Sequence, residues 1–144
     1  MGFDMQLLGL DHIVLRTAQL ETLQRFYLDL GCELERQVPE FGLVQLRAGS
    51  ALLDLVDCDG PLGQEGGPPP NGKGHNMAHF CLQLAPIEPQ ALHQKLAERN
   101  LTHQPFIQRY GATGFGDSVY IFDPDGNCIE LKPLCWLPES QRKD

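Results

Sequence analysis

Two histidines and two carboxylates stand out as residues that could do chemistry together: His12, Asp54, His79 and Glu130. His12 sits in Asp11-His12-Ile13-Val14-Leu15 and His79 in Ala78-His79-Phe80-Cys81-Leu82. Asp54 sits in Leu53-Asp54-Leu55 and Glu130 in Ile129-Glu130-Leu131. A carboxylate flanked by branched apolar residues is costly to bury unless it is paired or metal-bound. Imidazole nitrogens combined with carboxylate oxygens suit one borderline divalent ion such as Zn, Ni, Fe(II), Mn or Co. His12, His79 and Glu130 are expected as ligands, with Asp54 as the fourth. Glu130 and Asp54 are also the groups that could move a proton.

The elements that must hold these residues are written twice. Leu10 to Thr17 reads as a strand, and Ala18 to Leu30 as a helix with Leu20, Leu23, Tyr27 and Leu30 on one face. Thr17 is the expected N-cap and Gly31 the expected stop. Three short strands follow at Cys32–Val38, Phe41–Arg47 and Ala51–Asp57. In the second half, Met77 to Leu84 reads as a strand, and Pro89 opens a helix to about Asn100 with Leu92 and Leu96 on its apolar side. Strands are expected at His103–Gln108, Asp117–Phe122 and Asn127–Pro133, with Asp123-Pro124-Asp125-Gly126 as the last turn. Both halves read β-α-β-β-β. The longer second copy is accommodated around Tyr110 to Gly116.

Strand side chains alternate between faces. That alternation separates each candidate ligand from its apolar neighbours, which can pack on a helix. It also sets Cys81 with His79 and Cys128 with Glu130. Between the halves, Asp57 to His75 holds six Gly and four Pro in nineteen residues, a density that no helix or inner strand tolerates. The expected organisation is one α+β domain over residues 1–144. Module one covers about 5–57, a linker 58–75 and module two about 76–134, with a polar, frayed tail from Trp136 to Asp144.

Bulk properties narrow the partners. The chain has 144 residues, 42% apolar and 21% charged, as in ordinary soluble domains, with a formal net charge of −8. That acidity disfavours nucleic acid and anionic membranes, which need clustered Lys and Arg. No apolar run reaches membrane-span length, and the first ten residues do not read as a secretory signal. Five cysteines without a C-x-x-C spacing suit reduced thiols in the cytoplasm.

The sequence resembles the vicinal oxygen chelate superfamily, which includes glyoxalase I. The resemblance rests on Leu10-Asp11-His12-Ile13-Val14-Leu15, Phe26-Tyr27 with Leu30-Gly31, His79-Phe80, and Phe122-Asp123-Pro124-Asp125-Gly126-Asn127 running into Ile129-Glu130-Leu131. It implies two βαβββ modules forming a curved eight-stranded sheet around a metal cavity, and homodimers or exchange of modules between chains. It also implies a small substrate whose adjacent oxygens chelate the ion.

Three chemistries follow from the resemblance, besides a non-catalytic, metal-dependent ligand-binding protein. A glyoxalase-like lyase or isomerase would work through an ene-diolate-type intermediate, with Glu130 or Asp54 as base. Arg16 stands where glyoxalase I proteins bind a glutathione carboxylate, so a thiol conjugate is an expected substrate form. The sequence departs from those proteins at Asp54, where they carry Glu, and at Cys58, where they carry Asn. A ring-cleaving Fe(II) dioxygenase would use His12, His79 and Glu130 alone. A thiol transferase is suggested by Gly116 to Gly126, in which Ser118 and Tyr120 would contact the substrate. If Pro124-Asp125-Gly126 forms a three-residue turn, Tyr120 lies opposite Glu130. The Arg that follows the metal-binding Glu in fosfomycin-modifying proteins is absent here.

Overall fold

The computed structural model describes residues 2–101 and 103–135. The chain divides into two compact units, Met1–Lys73 and Gly74–Asp144, with the boundary inside the Gly/Pro-rich loop. The expected frayed tail, Trp136 to Asp144, lies outside the described residues.

The first unit runs β1 (His12–Thr17), α1 (Leu20–Leu30), β2 (Glu33–Val38), β3 (Leu43–Ala48) and β4 (Ala51–Asp57). Its sheet has the order β1-β4-β3-β2, with β1 parallel to β4 and the other neighbours antiparallel. The second unit runs β5 (Phe80–Leu84), α2 (Pro89–Glu98), β6 (Ile107–Gly111), β7 (Gly114–Phe122) and β8 (Cys128–Pro133). Its order is β5-β8-β7-β6, with β5 parallel to β8. The duplication is therefore one of topology as well as of sequence. The strands among the described residues form two four-stranded sheets, one per βαβββ module, and neither is closed.

β4 and β8 each pair in parallel with one neighbour and antiparallel with the other, and each buries four consecutive residues: Leu53 to Val56, and Ile129 to Lys132. Leu23 and Tyr27 of α1 are fully buried, as are Leu46 and Leu55, and α1 packs on β3 and β4. In the second unit Leu92 and Leu96 of α2 are buried, along with Val119, Ile121, Ile129 and Leu131. No helix among the described residues is long and apolar enough to cross a membrane.

Local chemistry explains where the sequence reading shifted. α1 starts with Gln19 as N-cap, not Thr17; the Thr17 hydroxyl instead accepts from the Gln19 N–H at 3.0 Å, turning the chain into the helix. Gly31 stops α1 at φ 131°, a conformation that costs glycine little. At α2 the cap is Glu88, whose carboxylate accepts from the Ala91 N–H at 3.0 Å. The strand expected at His103–Gln108 begins only at Ile107. Pro105 has no N–H to give a ladder, so pairing starts beyond it. Gly111 pairs with Gly114 across a tight turn, and β7 therefore starts earlier than Asp117.

Candidate metal centre

Both modules place a histidine and a carboxylate by the same register. His12 opens β1, and two residues on, Val14 pairs with Asp54. His79 immediately precedes β5, one step outside the strand it was expected to lie on, and two residues on, Cys81 pairs with Glu130. Residues two apart share a face, and so do cross-strand partners. Each sheet thus carries its histidine and its carboxylate on one face. The third strand repeats the pattern: Gln45 pairs with Asp54 and Tyr120 with Glu130.

In the second module the pair is in contact. His79 Nε2 lies 3.1 Å from Glu130 Oε1, and the Glu130 side chain is only 8% exposed. The Tyr120 ring meets His79 edge-on, with centroids 5.0 Å apart. The turn at residues 124–126 is the three-residue form: Phe122 pairs with Cys128, and the Asp123 N–H donates to the Asn127 carbonyl. That register sets Tyr120 opposite Glu130.

In the first module the buried Asp54 carboxylate accepts from Gln45 Nε2 through both oxygens, each at 3.2 Å. A carboxylate offers about four lone-pair sites, so the Gln45 amide leaves capacity for a further partner. His12 Nδ1 lies 2.6 Å from Asp11 Oδ1. That hydrogen bond is the main reason the His12 pKa sits above its ordinary 6.5; solvation differences pull it down, and the Asp54 charge adds to the rise. A carboxylate on one ring nitrogen fixes the tautomer and leaves Nε2 to face a ligand. Replacing Asp11 by Asn is expected to bring the His12 pKa back down toward 6.5, read from the ring-proton titration of metal-free protein by NMR. An unchanged titration would show that Asp11 does not hold the ring in solution.

The donor chemistry fits a borderline divalent ion. Bonds of about 2.0–2.2 Å to such an ion hold adjacent N and O donors near 3 Å apart, as His79 and Glu130 are. His79 and Glu130 are in contact, whereas His12 turns its Nδ1 to Asp11 and Asp54 accepts from Gln45. Among the described residues, no group of three or more His, Cys, Asp or Glu is gathered into one cluster.

The other site residues are also located. Ser118 is fully buried, and its Oγ and carbonyl oxygen accept from Arg109 Nη1 at 2.9 and 2.8 Å. The Arg109 guanidinium stacks 4.2 Å from the Tyr120 ring centre. Arg109, Tyr120, His79 and Glu130 therefore form a continuous row. Lys132, two residues beyond Glu130 on β8, is buried and donates to the Gly114 carbonyl at 2.5 Å. Burial, and secondarily the Glu130 charge, push the Cys81 thiol up to about 11, and burial also raises Cys128. Both stay protonated near neutrality, so neither is an activated nucleophile.

Arg16 lies against the loop between the modules. Nε donates to the Gly63 carbonyl at 2.9 Å, Nη2 to Gly67 at 2.5 Å and Nη1 to Pro68 at 3.5 Å. A Cβ on Gly66 would come within 2.1 Å of Arg16 Nε. Gly66→Ala should therefore displace the guanidinium from these carbonyls at a cost of about 0.5–1.5 kcal/mol. The measurement is limited proteolysis: faster cleavage within residues 58–75 is expected, and unchanged cleavage would mean the contacts do not order the loop.

Asp11, Gln45, Arg109 and Lys132 were not legible as site residues from sequence. The signal for Asp11 was its adjacency to His12. For Gln45 and Arg109 it would have been strand register, which the sequence reading placed several residues away for β6.

The profile of the Glyoxalase/Bleomycin resistance protein/Dioxygenase superfamily matches residues 9–131. No curated protein matches the chain. Among solved structures, an integron cassette protein from the mobile metagenome of V. cholerae is 26% identical, covering 92% of this chain and 100% of its own, with a TM-score of 0.69. The lactoylglutathione lyase of Agrobacterium tumefaciens is 22% identical over 88% of this chain and 93% of its own, with a TM-score of 0.62. The fosfomycin resistance protein FosX of Listeria monocytogenes is 17% identical over 88% and 91%, with a TM-score of 0.65. The last two similarities concern the fold.

Proposed function

The chain belongs to the Glyoxalase/Bleomycin resistance protein/Dioxygenase superfamily, and from that premise we propose that it is a divalent-metal-dependent lyase or isomerase of glyoxalase type. Its substrate would be a small molecule with adjacent oxygens, presented free or as a thiol conjugate. The observation that carries this reading is the repeated register: in each module, a histidine stands two residues before the cross-strand partner of a buried carboxylate. His12, Asp54, His79 and Glu130 would be the ligands of the ion.

Bound there, a divalent ion would supply Lewis-acid polarisation of the substrate's adjacent oxygens. The chain's own residues supply the rest. Glu130 Oε1 would take the proton from carbon beside the carbonyl and return it to the neighbouring carbon. Its burial beside the interior residues of β8 limits exchange of that proton with water. The Tyr120 ring packs on His79 and restricts the imidazole's rotation. Asp11 on Nδ1 does the same for His12, and Gln45 orients Asp54. Arg109, fixed by Ser118, sets the position of Tyr120. Arg16 would meet an anionic substrate group only alongside the loop carbonyls it already holds.

Metal-loaded protein is expected to turn over the hemithioacetal of methylglyoxal and glutathione, followed by absorbance. No turnover beside an active control enzyme would exclude that substrate. A second reading, thiol transfer, draws support from the Tyr120–Glu130 register and the Ser118–Arg109 contact on the late hairpin. It predicts that Ser118→Ala lowers affinity for an anionic substrate without changing metal content.

We also propose a cytoplasmic homodimer. Phe3, Leu7, Leu8 and Leu10 are each more than three-quarters exposed near the N-terminus, an apolar surface that a second copy could cover.

A further inference from the structure

We propose a second metal site, away from the four residues above, formed by His93 of α2 and His103 on the segment leading into β6. His93 Nδ1 lies 2.9 Å from His103 Nε2, and the two rings meet nearly at right angles with centroids 4.8 Å apart. The tautomers follow from a third contact. His103 Nδ1 lies 2.9 Å from the Gln104 carbonyl oxygen, which can only accept, so His103 carries its proton on Nδ1. Its Nε2 therefore presents a lone pair toward His93.

A ring N–H tied to a backbone carbonyl with the opposite nitrogen free is how metal-bound histidines are usually held. Two nitrogens 2.9 Å apart match adjacent positions on a single ion with bonds of about 2.0–2.1 Å. On binding, the His93 proton moves from Nδ1 to Nε2, and the rings turn so that both lone pairs meet at an ion lying to one side of the line between the two nitrogens. The pair is solvent-accessible, so water completes the coordination. Two imidazoles select a borderline divalent ion, with Cu(II) bound more tightly than Ni(II) or Zn(II). His103 also packs edge-on against Phe106, so the ion would clip α2 to the start of β6.

The test is titration of untagged wild-type protein with Cu(II), read from the ring-proton NMR signals of each histidine. His93 and His103 should broaden together, at a lower metal concentration than the exposed His75. His93→Gln should weaken binding at His103 by at least about tenfold, because a chelate becomes a single ligand. His103→Gln should do the same at His93. Broadening of all surface histidines at one concentration, or His103 broadening unchanged in His93→Gln, would overturn the site. Signals from His12 and His79 are read separately, so failure here and failure of the first site are distinguishable.

Discussion

Replacing Glu130 by Gln is expected to abolish both tight metal retention and turnover, lowering activity by about 10²–10⁴-fold or more, the usual contribution of a positioned acid or base. The substitution keeps the shape and removes the charge. A neutral amide oxygen is a weak ligand for a divalent ion, and it cannot take a proton. Glu130 is buried against β5 and β7, so no other carboxylate on β8 can replace it. Stability should not fall with it: removing a buried charge relieves desolvation and offsets the loss of the 3.1 Å contact with His79. Metal content by mass spectrometry, activity and thermal unfolding on one preparation read all three effects. A variant that unfolds would make Glu130 a structural residue. A variant that keeps its metal would remove it from the ligand set.

Ile129→Ala, one residue away, should show the opposite pattern. Ile129 is fully buried and pairs with Ile121, also fully buried, on the face of β8 away from Glu130. Truncation removes three carbons and leaves a cavity that two strands cannot close, which costs about 2–5 kcal/mol. Since the chain forms two compact units, the loss should be local. Hydrogen exchange is the suitable readout: amides of β7 and β8 should exchange faster while those of β3 and β4 hold. Uniform acceleration across both sheets would mean that the units unfold as one. Metal affinity in the folded fraction should be retained, which separates packing on one face from ligation on the other.

The contrast between these neighbours shows what a strand sequence makes readable. Alternation in Leu53-Asp54-Leu55 and Ile129-Glu130-Leu131 sets each carboxylate on the face opposite its apolar neighbours, and β4 spans Ala51–Asp57 as expected from its pattern and the preceding Gly49-Ser50 break. The helix stripes were equally plain, because Leu23 with Tyr27 and Leu92 with Leu96 are four apart and end up buried. The duplicated histidines were legible because apolar strand residues follow both.

Other features depend on information that no local pattern carries. His79 falls before β5 because parallel pairing with β8 begins at Phe80 and Ile129. Arg16 and Arg109 have long side chains, so knowing their face does not tell which carbonyl or hydroxyl they reach. Arg16 finds the loop between the modules, and Arg109 finds Ser118 nine residues later across a hairpin. The Asp54 carboxylate, on which the choice between three and four ligands turns, is oriented by Gln45 from the adjacent strand. That contact became visible only with the β3–β4 register in hand.

His12, Asp54, His79 and Glu130 are proposed to hold one ion per chain. Untagged protein should therefore be titrated with Zn(II) against a competing chelator that masks weak surface binding, alongside His12→Ala and Glu130→Gln. One tight equivalent per chain is expected for the wild type, and none for either variant, although the two substitutions lie in different modules. Two tight equivalents in the wild type, or one retained by His12→Ala, would mean that these four residues do not hold a single ion.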